Sequence, residues 1–309
     1  MGRVIQKTEA MKILLFRMLG WMMILWPYAG MAQEDLLDLL ESEMKPSREF
    51  IDATFKSTRV INCHSVERMQ AGDLDFRVAH RFGMLKGGLE EFFGLDESSS
   101  HVSLELGITD WMMVGAGRAT YDKMFNGFVK LSPLRQARGK WPVPFTVSFY
   151  LSAMGTNKTF PDPSWEVDRQ HRMSYCTQLL VARKFTPWLS LQVSPTWVHK
   201  NMVALPEDPN RLFALGMGGR LKFTPRTALT VEYFKVYNRE LLSGPTRYNP
   251  LSVGVDIETG SHVFQIFLTN TFAIVENGFI FETTRSWSRN EIHLGFNITR
   301  VFTILPKRT

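Results

Sequence analysis

Hydrophobic and polar residues alternate along most of the chain from residue 73 onward. Val102, Leu104 and Leu106, for example, alternate with Ser103 and Glu105. Alternation with period two predicts β-strands that have one apolar face and one polar or small face. Most of the segments are longer than soluble strands and match the roughly 9–11 residues of a tilted strand that crosses a bilayer. The twelve predicted strands are 73–82, 100–109, 111–119, 125–132, 143–152, 173–185, 188–199, 211–223, 227–236, 250–257, 261–270 and 290–302.

Most of the connections between these strands alternate in length, and two of them, 120–124 and 133–142, are intermediate. Residues 186–188, 224–226 and 258–260 are short turns, whereas 153–172 and 271–290 are long loops. Short turns at one end and long loops at the other are typical of an outer-membrane barrel. The sequence therefore predicts an all-β protein, a transmembrane antiparallel up-and-down β-barrel of about twelve strands.

A secreted, soluble β-sandwich is the alternative, since its strands also alternate. Aromatic residues near strand ends favour the barrel, because membrane barrels carry aromatic girdles at both interfaces. The residues expected in these girdles are Trp111, Trp141, Trp188, Trp197, Tyr121, Tyr150, Tyr175 and Tyr233.

The N-terminus resembles a secretory signal. Lys12 and Arg17 precede a nine-residue apolar run, and Gly30 and Ala32 are the small residues of a cleavage site. We expect residues 1–32 to be a signal peptide cut after Ala32, with Met11 as an alternative start. Its removal lowers the net charge of the 309-residue chain from +6 to about +3.

The segment between the cut and the barrel is predicted to be a periplasmic helix followed by a linker. Leucines at 36, 37, 39 and 40 share one face of a short amphipathic helix within 33–72. Residues 54–66 have strand-like stretches. They could add a strand, with 278–284, to a fourteen-strand barrel, but we favour a periplasmic or lumen-filling segment. The barrel is then 73–302, and 303–309 is a tail.

Several short blocks resemble a known family: FKSTRVIN (55–62), SVE (65–67), HRFG (80–83), FFGLD (92–96), DIETGSHVFQ (256–265) and GFNITRVF (295–302). Together they resemble a Gram-negative outer-membrane β-barrel family that is known as a domain of unknown function. The resemblance covers about 50–302 and implies a barrel in the outer membrane. It brings no site residues. Cys63 stands where we would expect a small residue such as glycine, which argues against a family cysteine nucleophile.

The polar faces of the strands supply the candidate functional residues. If the polar face points inward, it lines a lumen that is narrower than those of 16–18-stranded porins. Mixed charges there could form a sealed salt-bridge ladder or a selective pore. The basic excess favours a small anionic solute. The expected lumen-lining residues are Arg77, Arg81, Glu105, Lys130, Gln178, Gln192, Arg220, Lys222, Glu232, Gln265, His293 and Asn297.

Three classes of function fit this sequence. The first is a narrow pore or small-solute binder, and the second is a sealed barrel that docks a partner through its long loops or N-terminal helix. The third is a membrane-embedded lipid hydrolase with His80 or His262 as base and Ser252 or Ser261 as nucleophile. No nucleophile motif surrounds either serine, so we expect no enzyme activity.

The composition limits the kinds of ligand and partner that we expect. Only two cysteines, Cys63 and Cys176, are present, and they could pair or stay free. No His, Cys or Asp cluster has zinc spacing, so neither a metal nor another cofactor is expected. No basic cluster interleaves with aromatic residues, so nucleic-acid binding is not expected. The expected partners are outer-membrane lipid and the barrel-assembly machinery.

Overall fold

A computed structural model describes residues 48–159 and 168–305, and these form a closed antiparallel barrel of twelve strands. Each strand pairs with its neighbour in the chain, and the last strand pairs with the first to close the barrel. The barrel strands are β2 (Asp73–Met84), β3 (Ser98–Thr109), β4 (Met112–Ala119), β5 (Met124–Leu134), β7 (Thr146–Thr156), β8 (Met173–Lys184), β9 (Leu189–Lys200), β10 (Arg211–Lys222), β11 (Thr227–Val236), β12 (Leu251–Thr259), β13 (His262–Thr269) and β14 (His293–Thr303).

The remaining elements are short. β1 (Arg48–Phe50) and β6 (Ala137–Gly139) form a separate two-stranded sheet. One α-helix, α1 (Glu276–Phe281), lies in the described connection between β13 and β14. The 3-10 turns are Leu85–Gly87, Phe92–Gly94, Tyr121–Lys123, Arg239–Leu241 and Trp287–Arg289. The chain divides into a small unit, of which 48–49 and 139–141 are described, and a large unit that contains the barrel.

The all-β fold with twelve strands is confirmed, and each of the twelve predicted segments overlaps one barrel strand. The largest differences are at the end of β7, which extends to Thr156 rather than to 152, and at two strand starts. β7 begins at Thr146 rather than at 143, because Pro142 and Pro144 lack the N–H that a ladder needs. β14 begins at His293 rather than at 290, because Asn290 has a φ of 57° and ends a turn.

The faces of the strands have opposite polarity. In β7, Ser148 and Tyr150 are buried inside the barrel, whereas Phe149 and Leu151 are exposed on the outside. An apolar outer face around a polar lumen is the arrangement of a membrane barrel. Tyr150 is 0% exposed, so its assignment to an aromatic girdle is wrong: its position in the strand alternation directs the ring inward.

Most connections sort by end, as the sequence pattern predicts; the exceptions are the short link 120–123 at the loop end and the longer link 135–145 at the turn end. The end that carries 110–111, 185–188, 223–226 and 260–261 is called the turn end, and the opposite end is called the loop end. Both β2 and β14 reach the turn end, where Thr303 Oγ1 donates a 2.7 Å hydrogen bond to Asp73 Oδ1. The chain therefore enters and leaves the barrel at the turn end.

Two predictions from the sequence concern regions outside the twelve strands. The alternative of an additional strand at 278–284 is wrong, since Glu276–Phe281 is helical and buried. The signal peptide and the amphipathic helix within 33–47 lie outside the described residues.

Candidate functional site

A hairpin occupies the lumen of the barrel. We call residues 54–67 the lumen hairpin. Its two arms are joined by a bridge between Arg59 and His64 and by backbone hydrogen bonds from Val60 to Cys63 and from Ser65 to Thr58. The residues just before and just after the hairpin are bound to the turn end of the barrel. The Asp52 carboxylate pairs with Arg135, and Arg68 donates to the carbonyl of Asp110. The hairpin thus projects into the barrel from the turn end, and both of its ends remain there.

The tip of the hairpin surrounds one carboxylate of the barrel wall. Glu232 on β11 accepts hydrogen bonds from the backbone nitrogens of Ile61, Asn62 and Cys63 at 2.8–3.2 Å. The side chain of Asn62 adds a further bond of 3.0 Å to Glu232 Oε1. Consecutive N–H groups that converge on one anion form a nest. A charged wall residue therefore holds the hairpin by four donors.

Carbonyl groups of the hairpin are satisfied by other wall side chains. Gln265 Nε2 donates to the carbonyl of Val60 at 2.7 Å, and Asn297 Nδ2 donates to that of Ile61 at 3.1 Å. On the other arm, Gln192 bonds the carbonyl of His64 and the N–H of Val66. These contacts pair the backbone of the hairpin, which has no sheet of its own to join.

An ion pair joins the hairpin to β3. Arg59 Nη2 lies 2.9 Å from Glu105 Oε1, and Thr58 Oγ1 donates to Glu105 Oε2 at 2.6 Å. Arg59 Nη1 lies 2.6 Å from Nδ1 of His64, so this ring nitrogen acts as the acceptor. The His64 ring packs against Tyr150, with centroids 3.9 Å apart. The ion pair is thus enclosed by the barrel wall and by aromatic rings.

The structure places all twelve sequence-predicted lumen residues on the inward face. Eleven are buried and Lys222 is half-buried. Nine of them contact the lumen hairpin through hydrogen bonds or, for Gln178, through the thiol of Cys63: Arg77, Arg81, Glu105, Lys130, Gln178, Gln192, Glu232, Gln265 and Asn297. Arg220 pairs with Glu258 instead, and His293 bonds the carbonyl of Phe82.

The middle of the lumen is filled. Asn62 is 3% exposed, Arg81 0% and Glu232 2%. Gly218 on β10 allows the hairpin to approach the wall, because a Cβ there would lie 3.1 Å from a methyl carbon of Val60. The charged lumen therefore contains a hairpin that is bonded to the wall and fills the middle of the barrel.

The loop end is covered by α1. All six of its residues are buried, and the Phe279 ring packs against Phe234 at 5.2 Å. Asn277 Nδ2 donates to Ser174 Oγ on β8 at 2.9 Å. Burial raises the pKa of Glu276. Sequence reasoning did not predict this helix, because 270–292 has no helical period and its stretch 278–284 was considered only as an additional strand.

A cavity opens beside α1 at the loop end. We call it the vestibule; it has a volume of about 420 Å³, and its lining includes Met124, Met173, Ser174, Met202, Asn277 and Glu282. A second cavity of about 240 Å³ lies at the turn end, beside Lys56, Asp75 and Glu258. Each end of the filled lumen is thus accessible to a small molecule.

The sequence suggested that Ser252 and Ser261 both lie close to His262, but the structure brings only Ser261 near this histidine. Ser252 is not near His262: it faces the lumen and bonds Asn62 and Thr269. Ser261 Oγ lies 3.5 Å from Nδ1 of His262 at the turn end. On the outer face, His80 Nδ1 lies 2.7 Å from Ser100 Oγ, a pair that the sequence pattern did not reveal.

Three further features of the described residues are the state of the two thiols, the possible metal ligands and the lengths of the helices. Cys63 and Cys176 are free and buried. Within the described ranges, no group of three or more His, Cys, Asp or Glu side chains is placed to hold a metal ion. None of the helices in the described part of the chain is long and apolar enough to cross a membrane.

Comparison with solved structures finds porins and channels. The NanC porin aligns at 11% identity with a TM-score of 0.43, over 75% of this chain and all of that one. The KdgM porin aligns at 11% identity with a TM-score of 0.45, over 74% and 99%. A FadL homologue from Pseudomonas aeruginosa aligns at 10% identity with a TM-score of 0.37, over 82% and 94%.

Comparison with curated proteins gives no match. Among protein families, the model described as a membrane bound beta barrel domain, DUF5777, matches residues 55–302. This range begins inside the lumen hairpin and ends in β14, so the match includes hairpin residues together with the barrel. The chain belongs to this family of membrane-bound β-barrels.

Proposed function

We propose that this protein lies in the outer membrane and passes or binds a small solute, and that the lumen hairpin is its gate. The observation that carries the proposal is the attachment of the hairpin. It is held inside the barrel by hydrogen bonds and two ion pairs to side chains of the wall, Arg59 with Glu105 and Lys56 with Glu258, and both of its ends are at the turn end. Water can replace such bonds, so the hairpin can leave the lumen without breaking the chain.

The lengths of the connections support one orientation in the membrane. In outer-membrane barrels the short turns face the periplasm and the long loops face outward. The turn end of this barrel would then face the periplasm, and the vestibule would open to the outside. A solute would enter the vestibule first and would pass when the hairpin moves toward the periplasm.

A sealed barrel is the second candidate, and the number of bonds to the hairpin favours it. Glu232 alone accepts from four donors, and Arg59 and Glu105 form a buried pair. Such a barrel would serve as a scaffold whose loops dock a partner. Conductance distinguishes the two candidates, because only a gate opens.

A cross-link between the hairpin and the wall provides the test. Cys63 Sγ lies 3.8 Å from Ser194 Oγ on β9, so Ser194→Cys brings two thiols together. The variant also carries Cys176→Ser to remove the competing thiol. Single-channel conductance of the full refolded chain is recorded after oxidation and again after reduction. The Cys176→Ser chain without the second substitution is the control.

We expect openings in the control under both conditions, and in the cross-linked chain only after reduction. If oxidised and reduced chains conduct equally, the hairpin is not the gate. If a folded, heat-modifiable barrel is silent in every state, the sealed scaffold is the better account.

A further inference from the structure

The vestibule has the size and lining of a small-molecule site. Its volume of about 420 Å³ lies within the roughly 300–1,000 Å³ typical of ligand pockets. One side is apolar and is formed by Met124 at the start of β5, Met173 at the start of β8, and Met202 with Val203 in the loop after β9. Methionine side chains adapt to ligands of different shape. The apolar side therefore suits a compact hydrocarbon or aromatic body.

One polar atom in the lining lacks a partner. Asn277 on α1 is 5% exposed, and its Nδ2 donates to Ser174 Oγ at 2.9 Å. Its Oδ1 is buried and has no hydrogen-bond partner among the described residues. A buried acceptor without a donor costs about 1–3 kcal/mol. A ligand that brings a hydroxyl group to this amide would satisfy the acceptor.

The two lysines of the vestibule lining are already paired with carboxylates. Lys158 Nζ lies 2.6 Å from Asp122 Oδ1, and Lys200 Nζ lies 2.6 Å from Glu282 Oε1. The guanidinium of Arg172 donates to the carbonyl of Lys158. Because each of these lysines has its own carboxylate, the pairs offer little net attraction for an anion. This balance departs from the anionic preference that the lumen residues suggest.

We propose that the vestibule binds neutral amphipathic molecules, with an apolar body against the methionines and a hydroxyl group at the Asn277–Ser174 pair. The proposal rests on the proposed function in that it names the class of solute which the barrel would take up. Small phenols and short-chain alcohols belong to this class.

Calorimetric titration of the full chain in lipid nanodiscs tests the binding. The probe is 4-ethylphenol; its methyl ether has the same body without the donor, and 4-ethylbenzoate carries an anion instead. Empty nanodiscs correct for partition into lipid. We expect the phenol to bind at least tenfold more tightly than the ether or the benzoate.

Variants identify the site. Asn277→Leu should reduce the preference for phenol over ether to less than threefold, and Met202→Ala should weaken both ligands several-fold. Leu89→Ala is the control, because Leu89 is 79% exposed and is not part of the lining. If Asn277→Leu does not fold, Ser174→Ala should show a reduced preference.

Equal affinity for phenol and ether in the unmodified chain would overturn the proposal, as would tighter binding of the benzoate or an unchanged preference in the folded Asn277 variant. Binding is read at equilibrium and does not require an open channel. A chain that binds the phenol but never conducts would support this site and contradict the gate. A chain that conducts without binding the phenol would do the reverse.

Discussion

Oε2 of Glu232 accepts a 2.8 Å hydrogen bond from the backbone nitrogen of Cys63. The first residue belongs to the wall and the second to the tip of the lumen hairpin, so this bond joins the two parts at mid-lumen. The adjacent N–H groups of Ile61 and Asn62 point to the same carboxylate. The negative charge of Glu232 therefore holds a turn that would otherwise leave several buried N–H groups unpaired.

Glu232→Gln should loosen the tip of the hairpin. The amide has no charge, and its own N–H group faces the donors of the nest. A hydrogen bond to a charged group contributes about 1.5–3 kcal/mol, so we expect the open probability to rise about tenfold or more in single-channel recordings. Glu90→Gln in an exposed loop is the matched control. Unchanged gating in a folded Glu232 variant would contradict the assigned role of the carboxylate.

Two adjacent glycines of β10 should respond differently to valine. A side chain at Gly218 points toward Val60 of the hairpin, whereas a side chain at Gly219 points outward, next to Leu191. We expect Gly218→Val to displace the hairpin and raise conductance while the barrel stays folded. Gly219→Val should leave conductance unchanged, because it adds an apolar group to the outer face. Equal effects of the two changes would show that strand distortion, rather than the hairpin, is responsible.

The ion pair between Arg59 and Glu105 should be costly to break from one side only. Removal of one partner from a buried pair typically destabilises a protein by about 3–5 kcal/mol, because the other charge stays buried. We expect Arg59→Met and Glu105→Leu each to lower the urea midpoint of unfolding, and the double variant to lose less than the sum. If the loss of stability in the double variant equals the sum of the two single losses, the two groups do not interact energetically.

The pair of His80 and Ser100 should be chemically inactive. The two side chains are hydrogen-bonded at 2.7 Å on the outer face, but the described contacts give His80 no carboxylate or amide partner to orient it as a base. We expect no fatty-acid release from phospholipid vesicles by the unmodified chain. Release that disappears in both His80→Ala and Ser100→Ala would establish a lipid hydrolase instead.

The barrel wall was predictable from the sequence because each strand has one face in lipid and one in the lumen. Val102 and Leu104 on one side and Ser103 and Glu105 on the other follow directly from period two. Inward orientation of the charged residues followed from the same pattern once the outer face was assigned to lipid. Tyr150 shows the limit, since a large ring can fill a lumen as well as mark an interface.

The lumen contents could not be predicted in the same way. The segment TFKSTRVINCHSV has strand-like stretches, and its polar residues suit either a wall strand or an inserted hairpin. Its place is decided by contacts such as Asn62 with Glu232, whose partners are 170 residues apart in the chain. Asn277 belongs to a short helix that has too few residues to show a period.

The lumen hairpin precedes β2 in the chain, yet its two arms leave the barrel through the same opening. Within 48–159 and 168–305, no segment is threaded through the cylinder from one end to the other. Strand closure between β2 and β14 therefore does not require the hairpin to be in position. Assembly can complete an empty cylinder in the bilayer first and insert its contents afterwards, and the two events can have separate rates.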